Sequence, residues 1–349
     1  MHTSIMVPLD GSSRSDAAIP VAATLAKQSG ATLELVHVDT PLANPGRASM
    51  VDLRGDDAEP GAWRAQFETA ATRLWETSGI AAVATLLTGP AIATLEMHVA
   101  ARAPDLIVMT THGLGGPGRF LVGSVADALL RRTGVPILLV RRPAVAANDR
   151  SAGSHSVDGH TIHDRPGFRH VLIPLDGSER AEAIVPHAVA LGEPDTTEFT
   201  LLTVIVPLRV TANRTTADRA AADRVLDTTP ASPHPPGRHW DGPLDVIERR
   251  EREASAYLEQ IATELRQCSM TVTTHVVVHE QAAQAILNVA AECRADVIAI
   301  ATHGRHPLPR WVIGSVADRI VGGTDVPVLV FRPRPAEARD RSAGISATP

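Results

Sequence analysis

Two groups of residues in this chain could do chemistry together. Asp10 stands in Pro8-Leu9-Asp10-Gly11-Ser12, where its carboxylate can accept hydrogen bonds from hydroxyl or amino groups of a ligand. Thr111-His112-Gly113 opens a glycine-rich segment, Gly115-Gly116-Pro117-Gly118, that runs on to Gly123-Ser124. A glycine-rich loop feeding a helix presents backbone amides without partners, which is an anion site, and phosphate is the anion it suits. Ser124 is read as the N-cap of that helix, and Arg119, six residues after Gly113, puts a cation in the loop.

Both groups occur twice. Asp176 stands in Pro174-Leu175-Asp176-Gly177-Ser178, and Thr302-His303-Gly304 leads to Gly314-Ser315-Val316-Ala317-Asp318 as Gly113 leads to Gly123-Ser124-Val125-Ala126-Asp127. The spacing from Gly113 to Gly123 and from Gly304 to Gly314 is ten residues in each copy, and Arg310 matches Arg119. Some of these residues also admit purely structural roles. Asp10 and Asp176 could simply close a strand with an Asx-turn, and duplication copies structural turns too. His112 and His303, next to a turn glycine, read as hydrogen-bonded supports rather than catalysts. Pro307 and Pro309 remove two amide donors from the second loop, which makes it the weaker anion site. Lys27 is the sole lysine, so neither loop is a Walker-type phosphate loop.

The elements that must position these residues follow from hydrophobic periodicity. Ser4 to Leu9 is a strand, Ser15 to Ser29 a helix, Leu33 to Val38 a strand and Asp39 to Gly61 a loop. Ala62 to Ser78 is a helix, Ala81 to Leu87 a strand and Ala91 to Ala103 a helix. The apolar run Leu106 to Met109, the helix Val125 to Arg132 and the strand Val135 to Val140 complete the unit. Strand and helix alternate, which predicts an α/β fold: two tandem doubly wound parallel-sheet domains of five strands each. The boundaries are read as residues 1–143, a linker at 144–167, a second domain at 168–333 and a disordered tail at 334–349. The second copy is longer by 25 residues between its two motifs, placed in an enlarged loop from Val206 to Pro243, and Leu244 to Gln267 reads as a long charged helix.

A chain of 349 residues can bury a substantial core in each of two domains. A net charge of -6 with no arginine-rich stripe argues against a nucleic-acid partner. No apolar run approaches the ~20 residues of a membrane span. The N-terminus enters a strand without a charged-then-apolar preamble, so a cytoplasmic address is expected. Cys268 and Cys293 lack metal-ligand spacing and read as reduced structural thiols.

Both halves resemble the universal stress protein family. The resemblance rests on Val-Pro-Leu-Asp-Gly-Ser or its near copy at each opening, on Thr-His-Gly followed after nine residues by Gly-Ser-Val-Ala-Asp, and on the closing Val-Pro-Ile/Val-Leu strand. It implies Rossmann-like domains with strand order 3-2-1-4-5 and an ATP-binding, stress-responsive regulatory function, with ATP as ligand, with or without Mg2+. Carried over, the first site is Pro8, Leu9, Asp10, Val38, Met109, Gly113, Gly123, Ser124 and Val125, with Arg119 beside it. The second is Pro174, Leu175, Asp176, Val204, Ile300, Gly304, Gly314, Ser315 and Val316, with Arg310. The ATP-binding pattern has a glycine where Thr110 and Ala301 stand, small residues that still admit close approach. A stress protein without nucleotide, and a slow ATPase using Asp10 or His112, remain the alternatives. Turnover is expected to be very slow, because no second carboxylate stands beside Asp10 in the motif to hold a metal or orient water. Asp127 and Asp318 are explained by the helix dipole. The apolar last strands, Val135 to Val140 and Val326 to Val330, are expected to pair the two domains within the chain, and homodimerisation is left open.

Overall fold

The computed structural model describes residues 2–12, 14–40, 60–111, 123–141, 167–207, 243–302 and 314–333. Nearly all of the linker, residues 208–242 of the enlarged second-copy loop and the tail, like most of the loop after the second strand, lie outside the described residues. The first half runs β1 (Ser4–Leu9), a 3-10 turn (Ser15–Ala17), α1 (Ala18–Ser29), β2 (Thr32–Asp39), α2 (Pro60–Ser78) and β3 (Ala82–Thr88). It closes with α3 (Ala91–Arg102), β4 (Leu106–Thr110), α4 (Ser124–Arg132) and β5 (Ile137–Val140). The second half runs β6 (His170–Pro174), two short helices α5 (Glu179–Glu182) and α6 (Val185–Val189), β7 (Glu198–Ile205) and α7 (Pro243–Gln267). Then come β8 (Thr271–Val278), α8 (Ala282–Glu292), β9 (Val297–Ala301), α9 (Ser315–Gly323) and β10 (Val328–Phe331).

All ten strands form one sheet in the order β3-β2-β1-β4-β5-β10-β9-β6-β7-β8. Each half therefore has the order 3-2-1-4-5, parallel throughout, with helices on both faces. The apolar runs explain which strands lie deepest: every residue of β4 and of β5 is buried. The halves meet as expected through their last strands, antiparallel, with Val328, Leu329 and Val330 opposite Leu139, Leu138 and Ile137. Alternation along these strands sends Leu138 and Leu329 into one core and Ile137, Leu139, Val328 and Val330 into the other. Both cores thus cross the seam without a break.

Local differences from the sequence reading have physical causes. β5 begins at Ile137, because the Val135 amide donates to Thr133 Oγ1 (3.4 Å) instead of to a neighbouring strand and Pro136 has no amide to donate. Ser124 is not the N-cap of α4; Gly123 is, with extended backbone and its carbonyl accepting from the Asp127 amide (3.0 Å). The helix after the second Asp-Gly-Ser is broken where its first-half counterpart is continuous. There Ser178 caps α5 directly, accepting from the Ala181 amide, so the helix starts early and Pro186 falls beyond its first turn. In α1 the matching Pro20 lies within the first turn and is tolerated. No helix among the described residues is long and apolar enough to cross a membrane.

Candidate functional site

The site is made by two strands that part company. β1 and β4 pair only at Ile5–Leu106 and Met6–Ile107, although β1 continues to Leu9 and β4 to Thr110. β6 and β9 pair only at Val171–Val297 and Leu172–Ile298. At this position the winding direction reverses, so the connections leave to opposite faces and the carboxyl ends splay into a crevice. Because β5 and β10 run antiparallel, the two crevices open at opposite ends of the sheet.

In the first crevice, Pro8 and Leu9 are buried and Asp10 is exposed at the lip. Asp10 Oδ1 accepts from the Ser12 amide (2.9 Å) and hydroxyl (2.6 Å), an Asx-turn completed by Gly11 at φ 76. Ser15 Oγ donates to the Ser12 carbonyl (2.8 Å) and fixes the start of the following helix. Val38 and Met109, at the ends of β2 and β4, and Val125 of α4 join one apolar cluster. No side chain among the described residues caps α4, whose first residues, Ser124 and Val125, follow the Gly123 cap.

The second crevice repeats the plan with altered details. Asp176 Oδ1 accepts from the Ser178 amide (3.0 Å) and hydroxyl (2.6 Å), with Gly177 at φ 78. Pro174 ends β6 and the buried Leu175 follows it, while Val204 and Ile300 belong to the apolar cluster beneath. α9 starts at Ser315 after Gly314, whose φ of 86 and ψ of 147 differ from the φ of -53 at Gly123. Val316 is 40 % exposed, whereas Val125 is partly buried. Thr110 and Ala301 end β4 and β9, the positions where the family pattern has glycine. Gly113, Arg119, His112, Pro307, Pro309, Gly304, Arg310 and His303 lie outside the described residues.

Three residues escaped the sequence reading. His37 Nδ1 donates to the Leu9 carbonyl (2.9 Å) at the very end of β1, and its ring lies against Phe67 with centroids 5.3 Å apart. Thr203 holds the matching place in β7 and donates to the Leu175 carbonyl (3.0 Å). A side chain of β2 or β7 thus pins the strand end that carries Asp10 or Asp176. The signal was a constant offset of 166 residues, hidden because the two side chains differ. The third is Asp16. Burial pushes its pKa up and the nearby Asp10 carboxylate pushes it further in the same direction. Asp16, six residues on and outside the Asp-Gly-Ser motif, thus brings a second carboxylate within electrostatic reach of Asp10. Its second-half counterpart, Glu182, accepts from the Tyr257 hydroxyl (3.0 Å).

These charges give the first crevice a polarity. Asp10 and Asp16 repel anions on the β1 side, while the start of α4 attracts them on the β4 side. A ligand suited to both ends carries hydroxyl or amino donors toward Asp10, negative charge toward Gly123 and Ser124, and an apolar surface over Val38 and Met109. That donor set fits a nucleotide. Asp127 in the first turn of α4 is not part of it: it is paired with Arg131, and burial still raises its pKa.

Comparison with known proteins agrees with the doubled architecture. A universal stress protein of Mycolicibacterium smegmatis is 26% identical over 335 residues, covering 95% of this chain and 97% of that protein. A universal stress protein of Thermus aquaticus is 33% identical over 146 residues, 40% of this chain and all of the shorter protein. The crystal structure of a universal stress protein from Archaeoglobus fulgidus superposes with a TM-score of 0.56 at 17% identity, over 96% of this chain and 97% of that one. The model of the universal stress protein family matches residues 1–141 and again 167–332, one match for each half of the sheet, and the chain belongs to that family.

Proposed function

We propose that this protein binds ATP in the crevices between β1 and β4 and between β6 and β9, and that occupancy, rather than turnover, carries its regulatory signal. The observation that supports this is the make-up of the first crevice: carboxylates at the end of β1, the start of α4 without a side-chain cap after β4, and an apolar cluster of Val38, Met109 and Val125. Asp10 would accept from ribose or base donors, Val38 and Met109 would carry the apolar face, and Gly123, Ser124 and the glycine loop would take the phosphates. ATP brings to the site its charge and its shape. The protein contributes amides, hydroxyls and a fixed strand end. The first crevice is the tighter of the two, because the second loop has lost two amide donors to Pro307 and Pro309.

The test is direct. Denaturing the purified protein and identifying any released small molecule, then titrating ATP into the nucleotide-free chain, should reveal binding that weakens most in Gly113→Trp and less in Gly304→Trp. Absence of bound nucleotide and a flat titration would favour a stress protein that works without one. Asp16 supports a second reading, slow hydrolysis, since paired carboxylates can orient water or a metal. Single-turnover decay of labelled ATP with magnesium present separates the two: loss of bound ATP faster than that of free ATP, abolished in Asp16→Ala, would establish hydrolysis, and unchanged bound ATP would leave occupancy as the signal.

A further inference from the structure

The helices that follow the two glycine loops begin alike and end differently. α4 is Ser-Val-Ala-Asp-Ala-Leu-Leu-Arg-Arg, with Arg131 and Arg132 in its last turn. α9 is Ser-Val-Ala-Asp-Arg-Ile-Val-Gly-Gly, with no basic residue in its last turn. A helix terminus of this kind leaves carbonyls unpartnered and a negative dipole end without a cation. α9 is supplied from the other half. Arg141, the residue after β5, donates through Nη1 to the carbonyls of Gly322 (3.0 Å) and Thr324 (3.3 Å), and its Nε lies 3.8 Å from Asp325 Oδ1.

The seam explains how it gets there. Leu139 faces Val328, and the same antiparallel register carried two residues on brings Arg141 level with Val326, beside the end of α9. Arg332, the counterpart of Arg141 after β10, lends its positive charge to the surroundings of Asp127 in the first turn of α4. Only Arg141 makes hydrogen bonds to the other half's loop helix, and that helix, α9, is the one without arginines in its last turn.

We propose that Arg141 is a positioning residue for the second crevice. By holding the carboxyl end of α9 from across the seam, it fixes the helix whose first amides, at Gly314 and Ser315, face the ligand. The second site is then complete only when the first half is in place. This rests on the nucleotide reading above and adds to it a dependence of one site on the other half of the chain. α4 carries Arg131 and Arg132 in its own last turn, and Arg332 acts on its first turn instead, so the need for a cross-seam arginine at the carboxyl end belongs to α9.

The experiment is site-resolved hydrogen exchange on the full chain with and without ATP, in wild type, Arg141→Ala and Arg141→Lys. Without ligand, Arg141→Ala should speed exchange in the last turn of α9 and leave α4, β1 and β6 unchanged. With ATP, half-saturating protection at residues 314–318 should require about fivefold more ligand, while protection at residues 123–127 keeps its wild-type dependence. Arg141→Lys should restore part of the loss, since it keeps the charge but not the planar donor set. If wild type shows ATP-dependent protection in neither crevice, the nucleotide reading fails and takes this proposal with it. Protection confined to the first crevice, or protection at 314–318 undiminished in Arg141→Ala, overturns this proposal alone.

Discussion

His2 and Phe168 hold matching places two residues ahead of β1 and β6, and both are buried. Phe168 belongs there on any physical account; His2 is the exception. Its Nε2 finds no hydrogen-bond partner among the described residues, and its pKa falls to about 4. Burial is the main cause, with help from the amino terminus and from His187 of α6 across the seam, while Asp105 opposes them. Protons therefore bind the unfolded chain first. The neutral histidine contributes fully above its ordinary value of 6.5 and loses that contribution as pH falls toward 4, up to about 3 kcal/mol. We expect urea midpoints to drop over that window in wild type and to drop much less in His2→Phe, which installs the other half's solution. Equal acid sensitivity in the two proteins would clear His2 of the effect.

Elements show how the same sequence motif can enter a helix by two routes. Gly123 caps α4 at φ -53, open to any residue, whereas Gly314 caps α9 at φ 86 and ψ 147, a region almost closed to side chains. Alanine at Gly314 should therefore cost about 1–3 kcal/mol and alanine at Gly123 much less, read as the shift in denaturation midpoint of each variant. This asymmetry lies in backbone angles, which identical letters do not record. What the letters did record were features that arise within one segment. The apolar run from Leu106 to Met109 and the repeated Asp-Gly-Ser each announced a strand or turn that formed as read. Features that need two segments stayed hidden: Asp16 approaches Asp10 only after a helical turn, and His37 meets Leu9 only once β2 lies beside β1 in register. The break between α5 and α6 was hidden for another reason. Pro20 and Pro186 align, and only the earlier start set by Ser178 pushes Pro186 past the permitted first turn. The far edge of β8 shows a similar contact, where Arg266 of α7 donates through Nε (3.2 Å) and Nη2 (2.8 Å) to the Val272 carbonyl and blunts an edge otherwise open to pairing.

At the scale of the whole molecule, the seam makes two homologous halves into one folding unit. Three residue pairs join β5 to β10, a short ladder, but the cores on both faces of the sheet run through it, from Leu138 to Leu329 on one side and from Ile137 to Val330 on the other. A seam held by hydrogen bonds alone would let each half open by itself; a shared core makes opening of either half expose apolar surface of the other. Leu329 is fully buried, belongs to the second half and lies opposite Leu138 of the first. An aspartate there would carry a charge into the centre of both halves, at a cost of roughly 3 kcal/mol or more. The expected result of Leu329→Asp is that native-state hydrogen exchange accelerates in β1 and β4 as well as in β6 and β9, by similar factors, because one opening exposes all four. If β1 and β4 keep their wild-type protection while β6 and β9 lose theirs, the halves fold independently and the continuity of the core across the seam has no energetic meaning.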